Sequence, residues 1–77
     1  MTDTVPVVEQ GLYEHYKGNH YRVIGMAAHT ETGESLVVYV AVKEPDRLWV
    51  RPAAMFAEKI EFNGERRPRF RLLEKGA

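Results

Sequence analysis

The stretch LYEHYKGNHYRVIGMAA, residues 12 to 28, decides the fold. Two runs rich in Tyr, Val and Ile flank Gly18-Asn19, a pair suited to the positive φ angles of a two-residue hairpin turn. Leu12 to Lys17 is therefore expected to pair back on His20 to Ala28. In that register Lys17 lies opposite His20, Tyr16 opposite Tyr21 and His15 opposite Arg22. Side chains alternate between the two faces of a strand. Leu12, Tyr16, Tyr21 and Val23 then share a core side, and His15, Lys17, His20 and Arg22 share the other.

Further along, HTETGES (residues 29 to 35) reads as a polar loop leading into LVVYVAV, the most apolar run in the chain. EPDR at 44 to 47 offers Pro45 at the second position of a type I turn, which returns the chain through LWVR. With Glu44 opposite Arg47, Val42 meets Trp49 and Val40 meets Arg51, while Tyr39, Ala41, Leu48 and Val50 occupy the other face. Both faces are largely apolar. Such a strand is expected to be covered on both sides, by barrel closure, a docked segment or a partner chain. Pro52 ends that strand, and AAMFAEK is expected to make one helical or 3₁₀ turn that drops Met55 and Phe56 into the core. Asn63-Gly64 marks a last hairpin between KIEF and PRFRLL.

These signals, at their spacing, describe a mainly β domain of about five antiparallel strands over residues 11–73. Residues 1–10 read as a flexible arm and 74–77 as a flexible tail. The phrases GLYEHYKGNHYRVIG, HTETGESLVVY, LWVRPAAMF and RPRF, in that order, resemble a family of short bacterial proteins, the domain of unknown function 1653. The resemblance runs from Gly11 to Leu73. It implies an SH3-like β-roll or barrel and carries no established activity.

Composition narrows the function classes. At 77 residues, 44% hydrophobic and 29% charged, the chain is sized for one globular domain with a small core. With no cysteine, disulfides, thiolate metal sites and a cysteine nucleophile are all excluded. Eleven basic residues balance eleven acidic ones, so no overall field draws the chain to phosphate backbones or anionic membranes. That balance argues against nucleic acid. The first residues carry neither a basic nor an apolar leader region, and no run reaches the roughly 18–20 apolar residues of a membrane span. A cytoplasmic address is the default expectation.

Several residues have side chains that could carry chemistry. His15, His20 and His29 lie near Glu14, Glu31 and Glu34 in the chain, but intervals of five and nine match no standard zinc spacing, and no metal or other cofactor is expected. Ser35, His29 and Glu31 have the residue types of a hydrolytic triad. All three sit in one Gly-containing loop, where the fixed geometry of catalysis is hard to hold, so no enzyme is expected. Arg66, Arg67, Arg69 and Arg71 are interleaved with Glu58, Glu61, Glu65 and Glu74, the pattern of a charge-mixed edge. No glycine pattern for cradling a phosphate occurs.

Two binding surfaces remain. Trp49 and Arg51, two residues apart on one strand, project together, and Trp beside Arg is the composition of interface hot spots. With His29 and Glu31 of the loop after Ala28 they are expected to bind a protein or peptide partner, or a second copy of the chain as a homodimer. The alternative uses His15, Lys17, His20 and Arg22 with the neighbouring tyrosines to hold a small ligand or a single-stranded nucleic acid.

Overall fold

In the computed structural model the described residues are 7–76, so residues 1–6 of the expected arm and Ala77 lie outside them. The elements in order are β1 (Gly11–His15), β2 (His20–Ala28), β3 (Ser35–Ala41), β4 (Glu44–Pro52), α1 (Ala53–Phe56), β5 (Lys59–Phe62), β6 (Glu65–Pro68) and β7 (Phe70–Lys75). All pairings are antiparallel: five strands form one sheet in the order β4-β3-β2-β1-β7, and β5-β6 form a two-stranded ribbon. The chain is mainly β with one helical turn, as expected, but the described residues form seven strands where about five are anticipated.

The first hairpin forms in a different register. Tyr13 pairs with Tyr21 and Glu14 with His20, so the connection is the longer loop Tyr16 to Asn19. A two-residue type I′ turn needs positive φ at both central residues. Here Gly18 has it (φ 105°) and Asn19 does not. The loop closes instead through the Gly18 amide donating to the His15 carbonyl at 2.7 Å and the His15 amide donating to the Asn19 carbonyl at 2.7 Å. Tyr13, not Tyr16, is thereby buried beside Val23.

The β3–β4 connection moves as well. It turns at Val42-Lys43, with Ala41 paired to Glu44 and then Val40 to Leu48. Pro45, Asp46 and Arg47 are taken up as an irregularity of the edge strand, where a residue without an N–H is tolerated because nothing lies beyond it to receive the bond. Tyr39 consequently pairs with Trp49, Val38 with Val50, and Val37 with Arg51.

At the C-terminal end, Asn63 (φ 54°) and Gly64 (φ 81°) make the expected turn. It joins KIEF to ERRP, not to PRFRLL; after Pro68 the chain leaves the ribbon and β7 crosses to β1, pairing His15 with Phe70 and Tyr13 with Leu72. Glu74 and Lys75 pair with Leu12 and Gly11, which places these two residues of the expected tail in the sheet. Gly11 sits at φ 153° where a Cβ would run into the Glu74 carbonyl oxygen, so this close approach requires glycine.

One face of the sheet, the inner face, holds the core: Tyr13, Val23, Val37 and Tyr39 from the first three strands, Phe70 from β7, and Ala53 and Phe56 from α1. Phe56 stacks on Phe70 with centroids 4.0 Å apart, and Tyr13 meets the Phe56 ring edge-on at 5.4 Å. In one helical turn residues three apart share a face, so Ala53 and Phe56 point inward while Met55, expected in the core, is 45% exposed.

Candidate functional site

The register places Trp49 and Arg51 on the inner face, because they pair with Tyr39 and Val37, two core residues. The expected reading put them on the face away from Tyr39. The same register places His15 inward too: its ring lies 4.9 Å from Phe70 and 6.2 Å from Tyr21. His20 and Glu14, a directly opposed pair, face the other side, joined by a 3.7 Å contact between imidazole and carboxylate. His15, Lys17, His20 and Arg22 therefore do not share one face. Lys17 lies in the loop, its ammonium 5.8 Å from the Tyr16 ring. Tyr16, expected opposite Tyr21, packs edge-on against Phe62 of the ribbon at 5.5 Å.

What gathers at this end of the inner face is an aromatic floor with cations around it. Tyr21 meets Tyr39 at 5.6 Å and Phe70 at 5.6 Å. Arg51 donates from Nε to the Tyr39 hydroxyl at 3.4 Å, and its guanidinium lies 5.9 Å from the centre of the Phe70 ring. Arg51 is on one edge strand and Phe70 on the other. The sheet is thus curled enough for an edge-strand side chain to span its concave side, although β4 and β7 do not pair. Trp49 stays 41% exposed, with the Arg47 guanidinium 4.6 Å from its ring. Beyond Tyr21 and Ala41 the face runs into an open cleft of about 570 Å³, also lined by His20, Lys43 and Glu44.

The charges acting on His15 are all positive. Burial pushes the His15 imidazole below its ordinary pKa, and the charges of Arg69, Arg51 and Lys17 push the same way. Its Nδ1 accepts the Lys17 amide at 3.2 Å, which leaves the proton on Nε2. Arg69, which the sequence offers only as part of a charge-mixed edge, donates from Nη2 to Glu58 at 3.1 Å, while its own carbonyl accepts the Tyr16 amide. Its Nε is buried with no partner. No periodic pattern could have found Arg69, since it lies in the break between β6 and β7.

The opposite face of the sheet has a different character. Arg71 is hydrogen-bonded to Glu14, and this holds the Glu14 carboxyl below the usual range; the slight desolvation of the group opposes the shift without reversing it. Arg67 pairs with Glu65 and Arg69 with Glu58. Three of the four clustered arginines are thus matched with carboxylates.

His29 and Glu31 lie in the β2–β3 loop, beyond the Ala28–Ser35 pair. Trp49 pairs four residues further along β3, about 13 Å away at ~3.3 Å per residue, so the loop does not adjoin it. His29 serves the loop itself: its Nδ1 accepts the amides of Glu31 (3.1 Å) and Thr32 (3.4 Å), and Thr32 Oγ1 accepts the Glu34 amide at 3.1 Å. Among the described residues no three His, Asp or Glu side chains are grouped as a metal site.

Comparison with known proteins adds a family. The model of the proteins of unknown function DUF1653 matches residues 11–72. A crystal structure of a DUF1653 protein from Bordetella bronchiseptica is similar over 96% of this chain and 97% of that one, at 28% identity and a TM-score of 0.82. Among curated proteins none matches.

Proposed function

From the premise that this chain belongs to the DUF1653 family, whose function is unknown, we propose a role argued from its own geometry: a non-enzymatic binding module that takes an acidic protein or peptide segment on the open end of the inner face. One observation carries the reading. Trp49 is left 41% exposed beside Arg51 on the same face that elsewhere packs Val37 and Phe56 away from water. Half-exposed aromatics next to arginine are the anchors of protein interfaces. The surrounding cations, His15's neighbours Arg51, Arg69 and Lys17, favour a negatively charged occupant.

The non-enzymatic part has its own support. In a hydrolytic triad the imidazole Nδ1–H donates to an acid. His29 Nδ1 is instead an acceptor of two loop amides.

The chain's single tryptophan is Trp49, so its emission reports directly on the site. A peptide library selected on the immobilised protein is expected to return sequences enriched in Asp and Glu. The selected peptides should shift Trp49 emission to the blue, saturably, and bind Arg51→Gln at least about tenfold more weakly. A selection without acidic enrichment, or equal binding by a folded Arg51→Gln variant, contradicts the reading.

A second reading, self-association, is favoured by β4 itself. This edge strand also exposes Leu48 (64%) and Val50 (57%) on the outer face. Sedimentation over a hundredfold concentration range checks it: a mass that stays that of one chain removes it.

A further inference from the structure

We propose that His15, Arg51 and Arg69 form a subsite for one oxyanion, a carboxylate or a phosphate group, held beside the Phe70 ring. The inference deepens the binding reading above and rests on the same face. It does not need the partner to be a peptide.

The parts come from three separated segments. Arg51 of β4 is held over Phe70 and steadied by the Tyr39 hydroxyl, so its guanidinium is fixed in place while keeping donors to spare, since only Nε is engaged. His15 of β1 touches the same Phe70 ring and presents Nε2–H, because Nδ1 is occupied by the Lys17 amide. Arg69, next to Phe70 in the chain, brings a buried Nε–H that no group among the described residues accepts. A buried donor without an acceptor is destabilising, and an oxyanion is an acceptor that would relieve it. Two of these donors, from β1 and β4, meet at one aromatic ring, and Arg69, in the break before β7, lies near enough for its charge to act on His15.

The charged groups nearby fit this occupant. Those acting on His15 are Arg69, Arg51 and Lys17, all cations, which account with burial for its depressed basicity. Glu58 is engaged by Arg69 Nη2, and Glu14 and Glu65, which line one cleft together with His15, are engaged by Arg71 and Arg67. Glu44 sits at the outer rim of the cleft, beyond Tyr21. Among the described residues no carboxylate is hydrogen-bonded or ion-paired to His15 or Arg51.

Inorganic phosphate and acetate, titrated separately into ¹⁵N-labelled protein, test this through the arginine Nε–Hε and histidine ring signals. Saturable shifts at Arg51, Arg69 and His15 are expected, with Arg22, Arg47 and Arg66 unmoved, and with affinity reduced at least about tenfold in Arg51→Gln. Phosphate alone saturating would assign the subsite to phosphoryl groups, and acetate alone would assign it to carboxylates. Small, non-saturating shifts spread over all arginines would overturn it. Because Arg69 also fastens the ribbon to β1, its variant is Arg69→Lys, and His15→Gln gives an independent check. Saturation by phosphate without any peptide binding would keep the subsite and remove the peptide reading. Tight peptide binding unaffected by Arg51→Gln and His15→Gln would do the opposite.

Discussion

The two ends of the inner face are made by the same strands, and they do opposite things. At one end Val23, Val37, Ala53 and Phe56 are 0–2% exposed, closed over by α1. At the other, His15 and Tyr21 are half-buried and Trp49 more open still, and Arg51, opposite Val37, reaches from the closed end to the Phe70 ring. The closed end is apolar throughout. The open end alternates rings with cations, a composition that packs poorly on itself and well on something negative. In so small a domain one helical turn covers only part of a sheet face.

The sharpest way to break this division is at its closed end. Phe56→Ala removes the ring that stacks on Phe70 and is expected to cost about 3–5 kcal/mol, comparable to the whole stability of a domain this size. Urea denaturation should find it largely unfolded; a cost below about 1 kcal/mol would mean the core is elsewhere. Gly11→Ala comes next, since its Cβ would press on the Glu74 carbonyl between β1 and β7. About 1–3 kcal/mol of destabilisation is expected in the same assay.

Trp49→Ala should move stability by less than about 1 kcal/mol, its main loss being the contact with Arg47, while removing binding of the selected peptides by calorimetry. A large loss of stability instead would make Trp49 a core residue and erase the contrast between the ends.

The smallest effect is in pH. His15 is held below its ordinary value of 6.5 by burial first and then by Arg69, Arg51 and Lys17. As pH falls through that value the unfolded chain takes up a proton that the folded one does not, so stability declines toward the folded pKa. His15→Gln should flatten the stability profile in that window. The Glu14 carboxyl, held low by Arg71, adds loss only at more acid pH, as its pairing is protonated away.

How much of this was legible in the sequence differs by element, for physical reasons. Asn63-Gly64 was readable because both residues take positive φ, and a two-residue turn leaves no freedom of register. Gly18-Asn19 looks the same but only its glycine is left-handed, and the longer loop is favoured by contacts far away in the chain, Tyr13 against Phe56 and β1 against β7. The residue opposite His20 moved from Lys17 to Glu14, and the residue opposite Trp49 from Val42 to Tyr39, each a slip of three. An odd slip exchanges the faces of a strand pair. That is why Trp49 and Arg51 were rightly seen as a pair yet assigned to the wrong side, and why His15 parted from His20 to join them. Arg69 belongs to no strand, so neither period nor turn chemistry separates it from the charge-mixed cluster in which the sequence places it.

The central claim is that His15, Trp49 and Arg51 share the inner face, and cross-strand proton contacts test it most directly. Nuclear Overhauser measurements on the free protein should connect Tyr13 with Tyr21 across β1 and β2, Tyr39 with Trp49 across β3 and β4, and the His15 ring with that of Phe70. Contacts of Tyr16 with Tyr21 and of Val42 with Trp49 in their place would return His15 and Trp49 to other faces and contradict the account.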